Sequence, residues 1–158
     1  MNKPLLGQKV AFLVANGLNE SDLIETQKIV QALGGDTRII SMDQGLVSSL
    51  NDQGWGLNFA ADQALNQSLA ADYDAIVVPG GQRSIEKLQL TAHTRRFLRG
   101  FYETHKPVCV LNEGVELLEH SEIDASDASV NLLILEGSNE GLSEFLTGLL
   151  LEEKAVAA

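Results

Sequence analysis

The sequence predicts an α/β domain built on a doubly wound parallel sheet, three layers deep, with helices on both faces. Three observations carry this. Short runs such as KVAFLVA (9–15), DAIVV (74–78), PVCVL (107–111) and VNLLIL (130–135) are almost wholly apolar, as strands buried on both faces must be. Amphipathic segments at helical spacing alternate with them, the βαβ rhythm that closes into a covered parallel sheet. The chain has 158 residues, 44% of them hydrophobic and 21% charged, enough apolar material for one core of ordinary domain size. Together these place the fold in the flavodoxin-like class, with about five strands. We expect one domain over 1–158, with 1–7 and 154–158 frayed.

The elements follow in order. After strand 9–15, Asn16 and Gly17 turn the chain, and Asn19 caps a helix with Asp22 three residues on. That helix buries Leu23, Val30 and Leu33, with Ile29 alongside, and stops at Gly34-Gly35. Thr37 to Met42 forms the second strand. Val47 and Trp55 to Phe59 flank an Asn51-Asp52-Gln53-Gly54 turn, which reads as a hairpin. Asp62 to Leu69 reads as a short helix. Strand 74–78 breaks at Pro79-Gly80-Gly81, and Thr91 caps a helix whose stripe of Phe97, Leu98, Phe101 and Tyr102 belongs in the core. Strand 107–111 runs straight into a short helix from Glu113 to about Leu118. A polar stretch, Glu119 to Ser129, precedes strand 130–135. Leu142, Phe145, Leu146, Leu149 and Leu150 mark a closing amphipathic helix.

Charge and cysteine content exclude several functions. Eleven basic residues against 22 acidic give a net charge of −11, so nucleic acid and anionic membranes are poor partners. Arg95, Arg96 and Arg99 beside His93 form a basic patch, which reads as a solvated helix face. Cys109 is the only cysteine, so neither a disulfide framework nor a cysteine metal site fits within one chain. In an apolar strand it reads as a small buried hydrophobe. His93, His105 and His120 fall at no metal-ligand spacing and read as surface residues. No metal and no cofactor is expected. Met1 to Gln8 does not look like a signal peptide and no stretch approaches a membrane span, so a reducing cytoplasm is the expected setting.

In parallel sheets of this kind ligands bind outside the carboxyl ends of the strands. Three loops meet there: Asn16 to Asp22, Pro79 to Arg83, and Asn112 to Gly114. Their motifs are also informative as sequences. DYDAIVVPGG at 72–81, IEKLQLTAHTRRFLRGFYETHKPV after it, and VAFLVANGLNESDLIE at the start resemble the DJ-1/PfpI family, with a glutamine-amidotransferase-like fold, over residues 8 to 118.

The resemblance implies a site. Members carry a cysteine at a strained strand-to-helix elbow, in A-[IV]-C-x-G-P. The matching stretch here, Val110 to Val115, puts Asn112 at the cysteine position and Glu113 beside it. The family's acid falls at Asp22. Backbone N–H groups at Gly81 and Glu113 correspond to its oxyanion site. The chain departs from the family after the elbow helix, where 119–129 replaces a further strand and helix. Relatives commonly dimerise, so a two-fold homodimer is the expected assembly.

An asparagine amide is not a nucleophile at neutral pH, and a fold alone licenses no chemistry. The expected function is therefore non-catalytic: a binding or stress-associated protein with a vestigial pocket at Asn112, Asp22, Glu113 and Gly81, open to a small-molecule ligand. The alternative is a carboxylate-dependent hydrolase or lyase, glyoxalase- or deglycase-like, acting on a small carbonyl compound. For that, Asp22 and Glu113 would share a proton, with Glu20 and Glu116 near them. Against it, acids at helix starts also answer the helix dipole. A third reading is a structural subunit that pairs with an active relative. An Asp22–Asn112 hydrogen bond is the contact to look for, because an ionised carboxylate only accepts and an amide NH₂ donates twice.

Overall fold

A computed structural model describes residues 3–42, 45–127, 131–137 and 140–148. The chain enters through β1 (Lys9–Val14), a two-residue β2 (Leu18–Asn19) and α1 (Glu20–Ala32). The Asn19 side chain accepts the Asp22 N–H at 3.1 Å, so the cap forms as its residue type demands. Then come β3 (Asp36–Ser41) and a hairpin of β4 (Leu46–Asn51) and β5 (Gly54–Ala60). β6 (Gln63–Ala64), β7 (Ala75–Val78), α2 (Gln82–Leu88) and α3 (Ala92–Glu103) follow, with Thr91 capping α3 through its hydroxyl. The chain closes on β8 (Val108–Leu111), α4 (Glu116–His120), β9 (Leu132–Leu135) and a helix over 142–148.

All neighbours in the main sheet run parallel, in the order β6-β3-β1-β7-β8-β9. Leaving out the short β6, this is the 2-1-3-4-5 order of the flavodoxin-like fold. The apolar runs alternate their side chains between two cores. Ala11 and Leu13 join Ile85, Phe97, Leu98 and Phe101 beneath α2 and α3, whereas Val10, Phe12 and Val14 join Leu23, Val30, Leu142 and Leu146 beneath α1 and the last helix. A second sheet, β2-β4-β5, stands apart. Its hairpin is antiparallel and its link to β2 parallel.

Four sequence expectations change. Residues 62–69 are not a helix: Gln63 and Ala64 pair with Ile40 and Ser41 as an edge strand, and only Leu65–Gln67 make a 3-10 turn. Asp62 is the cause. Its Oδ2 accepts Ile39 N–H, 2.6 Å away, and its own N–H donates to Ile39 O at 2.8 Å, so the backbone is tied to β3. The segment ahead of β1 is anchored rather than frayed over 3–7, since Leu5 is fully buried and its N–H donates to Leu33 O. The pattern also does not announce α2, seven residues with Ile85 and Leu88 as its apolar anchors. Leu33, placed in the core from sequence, is only half-buried, while Thr26 takes a fully buried place on α1. The expected start of the last strand at 130, the end of the last helix and the tail 154–158 lie outside the described residues.

Cys109 lies in the middle of β8, wholly buried, and burial pushes its thiol up to about 12. A thiol that stays protonated and has no access reacts slowly. We expect the native protein at neutral pH to resist a thiol reagent that labels it readily in denaturant. Rapid stoichiometric labelling of the folded chain would show that β8 is not in the core.

Candidate functional site

The topology brings four loops to the carboxyl edge of the sheet, around the point where the strand order reverses between β1 and β7. After β1, Asn16 Oδ1 accepts Ser48 N–H at 2.9 Å and Gly17 N–H donates to Ser48 O at 2.8 Å. This leads the chain into α1, whose first turn carries Asp22. After β7, Pro79-Gly80-Gly81 passes so close that a Cβ on Gly81 would lie 2.6 Å from Gly17 O and 2.7 Å from Asn19 N. Gly81 also has φ of 110°, so this position requires glycine twice over. After β8, Asn112 takes φ of 50°, a left-handed conformation that asparagine tolerates better than most side chains. The strained elbow expected from sequence is present.

Side chains and backbone then form one continuous network. Asn112 Nδ2 donates to Asp22, 3.0 Å from Oδ2 and 3.3 Å from Oδ1. Gly80 N–H donates to the same Asp22 Oδ2 at 2.9 Å, and Gly81 N–H donates to Glu113 Oε1 at 2.7 Å. Gly80 O accepts Asn19 N–H at 2.9 Å. On the far side, Asn112 Oδ1 accepts Gly137 N–H at 2.9 Å, which ties in the loop after β9. A Cβ on Gly80 would sit 2.8 Å from both carboxylates, so the two acids meet over that residue.

A cleft of about 650 Å³ opens beside this network, lined by Asp22, Gly81, Asn112 and Gly137 among others. Glu113 does not line it, because its carboxylate is turned onto Gly81. Glu20 and Glu116 are not there either. Glu20 points to the hairpin, where its Oε2 accepts Leu57 N–H at 2.8 Å. Glu116 lies in a separate groove with Glu119 and His120, 3.4 Å from the Gln82 side chain. Side-chain direction explains Glu20: residues two apart on a helix point about 200° from each other, so Glu20 and Asp22 cannot share a face.

The cleft also holds Arg83, which the sequence placed at the end of one converging loop, and residues that sequence reasoning missed. The hairpin tip, Leu50 to Asp52, forms one wall, and Arg83 and Glu86 of α2 form another. The Arg83 guanidinium lies 5.4 Å from the centre of the Trp55 ring, bridging α2 to the hairpin. Arg83 closes the loop Pro79 to Arg83 that the sequence brought to this edge, whereas no local pattern placed the hairpin tip or Glu86 there. Gly137 is reachable by the same rule that found the other loops, since β9 neighbours β8. Arg95 pairs with Glu122, Arg96 donates to the Ser68 and Leu65 carbonyls, and Arg99 to those of Ser121 and Glu122. The basic patch thus braces loops. His93 and His105 are exposed and His120 half-buried. No cluster of three metal-ligating side chains occurs among the described residues.

The DJ-1/PfpI family model matches residues 8–139. The chain belongs to the DJ-1/PfpI family. Deglycase PfpI of Pyrococcus furiosus is 26% identical over 110 residues, spanning 70% of this chain and 63% of that protein. Catalase-2 of Bacillus subtilis is 30% identical over 114 residues, spanning 72% of this chain but 16% of the catalase. The chain therefore spans under two thirds of each of these relatives. Among solved structures, a ThiJ/PfpI domain protein from Brachyspira murdochii superposes with a TM-score of 0.72 at 18% identity, covering 93% of this chain and 98% of the other. A two-domain protein from Anabaena variabilis with DJ-1/ThiJ/PfpI-like and ferritin-like domains gives 0.75 at 19% identity, covering 93% and 48%. These likenesses agree with the observed fold. No helix among the described residues is long and apolar enough to cross a membrane.

The network makes a stability prediction. Asn112→Ala removes the donors to Asp22 and the acceptor for Gly137, and leaves a non-glycine residue in the left-handed region. We expect a loss of about 1–3 kcal/mol in denaturant unfolding. Asn112→Gly, which loses the bonds without the strain, should lose less. An Ala variant as stable as wild type would mean the network contributes nothing.

Proposed function

We propose that this chain is a non-catalytic member of the family, in which the cleft binds a small polar molecule and Asn112 stands where relatives carry their nucleophilic cysteine. The observation that carries the reading is the Asp22–Asn112 hydrogen bond, 3.0 Å long. An acid engaged by an amide donor has no thiol to activate, and the amide itself does not attack carbonyl carbon. One of the two donors expected to stabilise an oxyanion is also engaged: Gly81 N–H donates to Glu113. A tetrahedral intermediate would have to displace that carboxylate.

The lining suits a polar ligand. Asp22, Glu25, Asp52 and Glu86 contribute carboxylates against the Arg83 guanidinium. Neutral or cationic polar molecules are favoured over anions by this balance. A second reading, a carboxylate-dependent hydrolase or lyase on a small carbonyl compound, draws on the meeting of Asp22 and Glu113 over Gly80. The deglycase name of one relative points the same way. It is disfavoured because each acid already accepts a backbone N–H.

A thermal-shift screen of polyols, amines and small carbonyl compounds tests the proposal, run on wild type and on Asp22→Ala. A ligand at about 100 times its Kd stabilises by about 2.7 kcal/mol, which a melting curve resolves. We expect one class to raise the melting temperature of wild type and to leave Asp22→Ala unmoved, with no turnover of dicarbonyl compounds. Turnover by wild type that disappears in Asp22→Ala would establish the carboxylate-dependent enzyme instead.

A further inference from the structure

The β4–β5 hairpin belongs to no layer of the main sheet, yet its tip walls the cleft through Leu50, Asn51 and Asp52. The pairing that joins it to β2 stops at Leu50. Beyond that point a single oxygen gathers it in. Glu20 Oε2 accepts Leu57 N–H at 2.8 Å and lies 2.9 Å from the Ser49 hydroxyl and 3.4 Å from the Asn51 amide nitrogen. The Ser49 proton is shared with Leu57 O, 2.8 Å away.

The sequence around this contact is shaped to admit a carboxylate. A Cβ on Gly56 would overlap Glu20 Oε2, so only glycine leaves the slot open. The groups that face the oxygen are neutral donors from both strands of the hairpin. Leu57 N–H foremost, then Ser49 and Asn51, hold Glu20 below the usual carboxylate range against the effect of desolvation. The acid is therefore ionised throughout the neutral range and accepts at full strength. Glu20 is also the first residue of α1, two before Asp22, so one helical turn carries both the hairpin contact and the cleft acid.

We propose that Glu20 is a latch that sets the tip of the β4–β5 hairpin against the cleft as a lid, a positioning residue for whatever the cleft binds. The stack of Arg83 on Trp55 is its counterpart on the other wall, contributed by α2. With Glu20 replaced, the ladder to β2 still holds the hairpin at Ser49 and Leu50, and the residues from Asn51 to Leu57 lose their tie to α1. The cleft then loses the wall that Asn51 and Asp52 supply. This consequence for binding rests on the proposed function, but the latch itself is testable without any ligand.

Trp55 is the only tryptophan in the chain, so its fluorescence reports on the lid alone. The experiment compares the full chain with Glu20→Ala and Glu20→Gln, by amide hydrogen exchange at Leu57 and by acrylamide quenching of Trp55. For Glu20→Ala we expect exchange at Leu57 to rise about tenfold or more and quenching to increase, with amides of β1 and β8 within about twofold of wild type. Glu20→Gln keeps an oxygen acceptor and should fall between. Exchange at Leu57 within about twofold of wild type in Glu20→Ala would overturn the latch. Equal acceleration in β1 and β8 would overturn it too, because Glu20 would then act on global stability. A cleft that binds nothing in the ligand screen while Leu57 still responds would refute the binding function and leave the latch standing.

Discussion

The site depends on how two backbone N–H groups, those of Gly80 and Gly81, find acceptors where β7 runs out. A strand that ends inside the rim of a covered sheet leaves donors that neither the ladder nor bulk water fully satisfies, and leaving such a donor unpaired costs about 1–3 kcal/mol. Here the acceptors are carboxylates drawn from two other segments: Asp22 from the first turn of α1 and Glu113 from the elbow after β8. Hydrogen bonds to charged groups are the stronger kind, and these two draw the neighbouring strand ends together. The need for closeness accounts for the glycines. No side chain fits at Gly80 between the two acids, or at Gly81 against the Gly17 carbonyl.

Asn112 completes the arrangement because it can both donate and accept. Its NH₂ engages Asp22 while its carbonyl oxygen takes Gly137 N–H, so a single side chain spans from the loop after β1 to the loop after β9. A carboxylate in its place would face Asp22 as a like charge, and an apolar residue would take a donor from Asp22 and the acceptor from Gly137 N–H. On the proposed reading, the geometry that could present a reactive group instead presents a brace. The cleft beside it stays open and polar, with the hairpin tip as a wall set by Glu20.

Much of this was legible in the sequence, for identifiable reasons. Buried parallel strands need apolar residues on both faces, so β1, β7, β8 and β9 declare themselves as runs. Asn19 and Thr91 declare helix starts through capping chemistry. The Asp22–Asn112 contact followed from the family resemblance, which set the two residues opposite each other, plus donor and acceptor inventories. What stayed hidden was set by tertiary contact. Gln63–Ala64 is a strand only because Asp62 is tied to Ile39 on both its backbone and its side chain. Glu113 looked like a cleft acid, but the Gly81 N–H captures it. Glu20 looked like a neighbour of Asp22, and the helical rotation between them sends it to a hairpin whose position no local pattern encodes.

The central claim is that the Gly80 and Gly81 N–H groups are bound to the Asp22 and Glu113 carboxylates in the protein at rest. Amide NMR of the uniformly ¹⁵N-labelled protein tests it most directly, with wild type compared with Asp22→Ala and Glu113→Ala. The account predicts two glycine amide protons shifted downfield at neutral pH and protected from exchange. The Gly80 proton should move upfield in Asp22→Ala, with the Asn112 side-chain amide moving in step, and the Gly81 proton should move upfield in Glu113→Ala. Gly80 and Gly81 signals at ordinary positions, in rapid exchange with water and indifferent to the carboxylates, would contradict it.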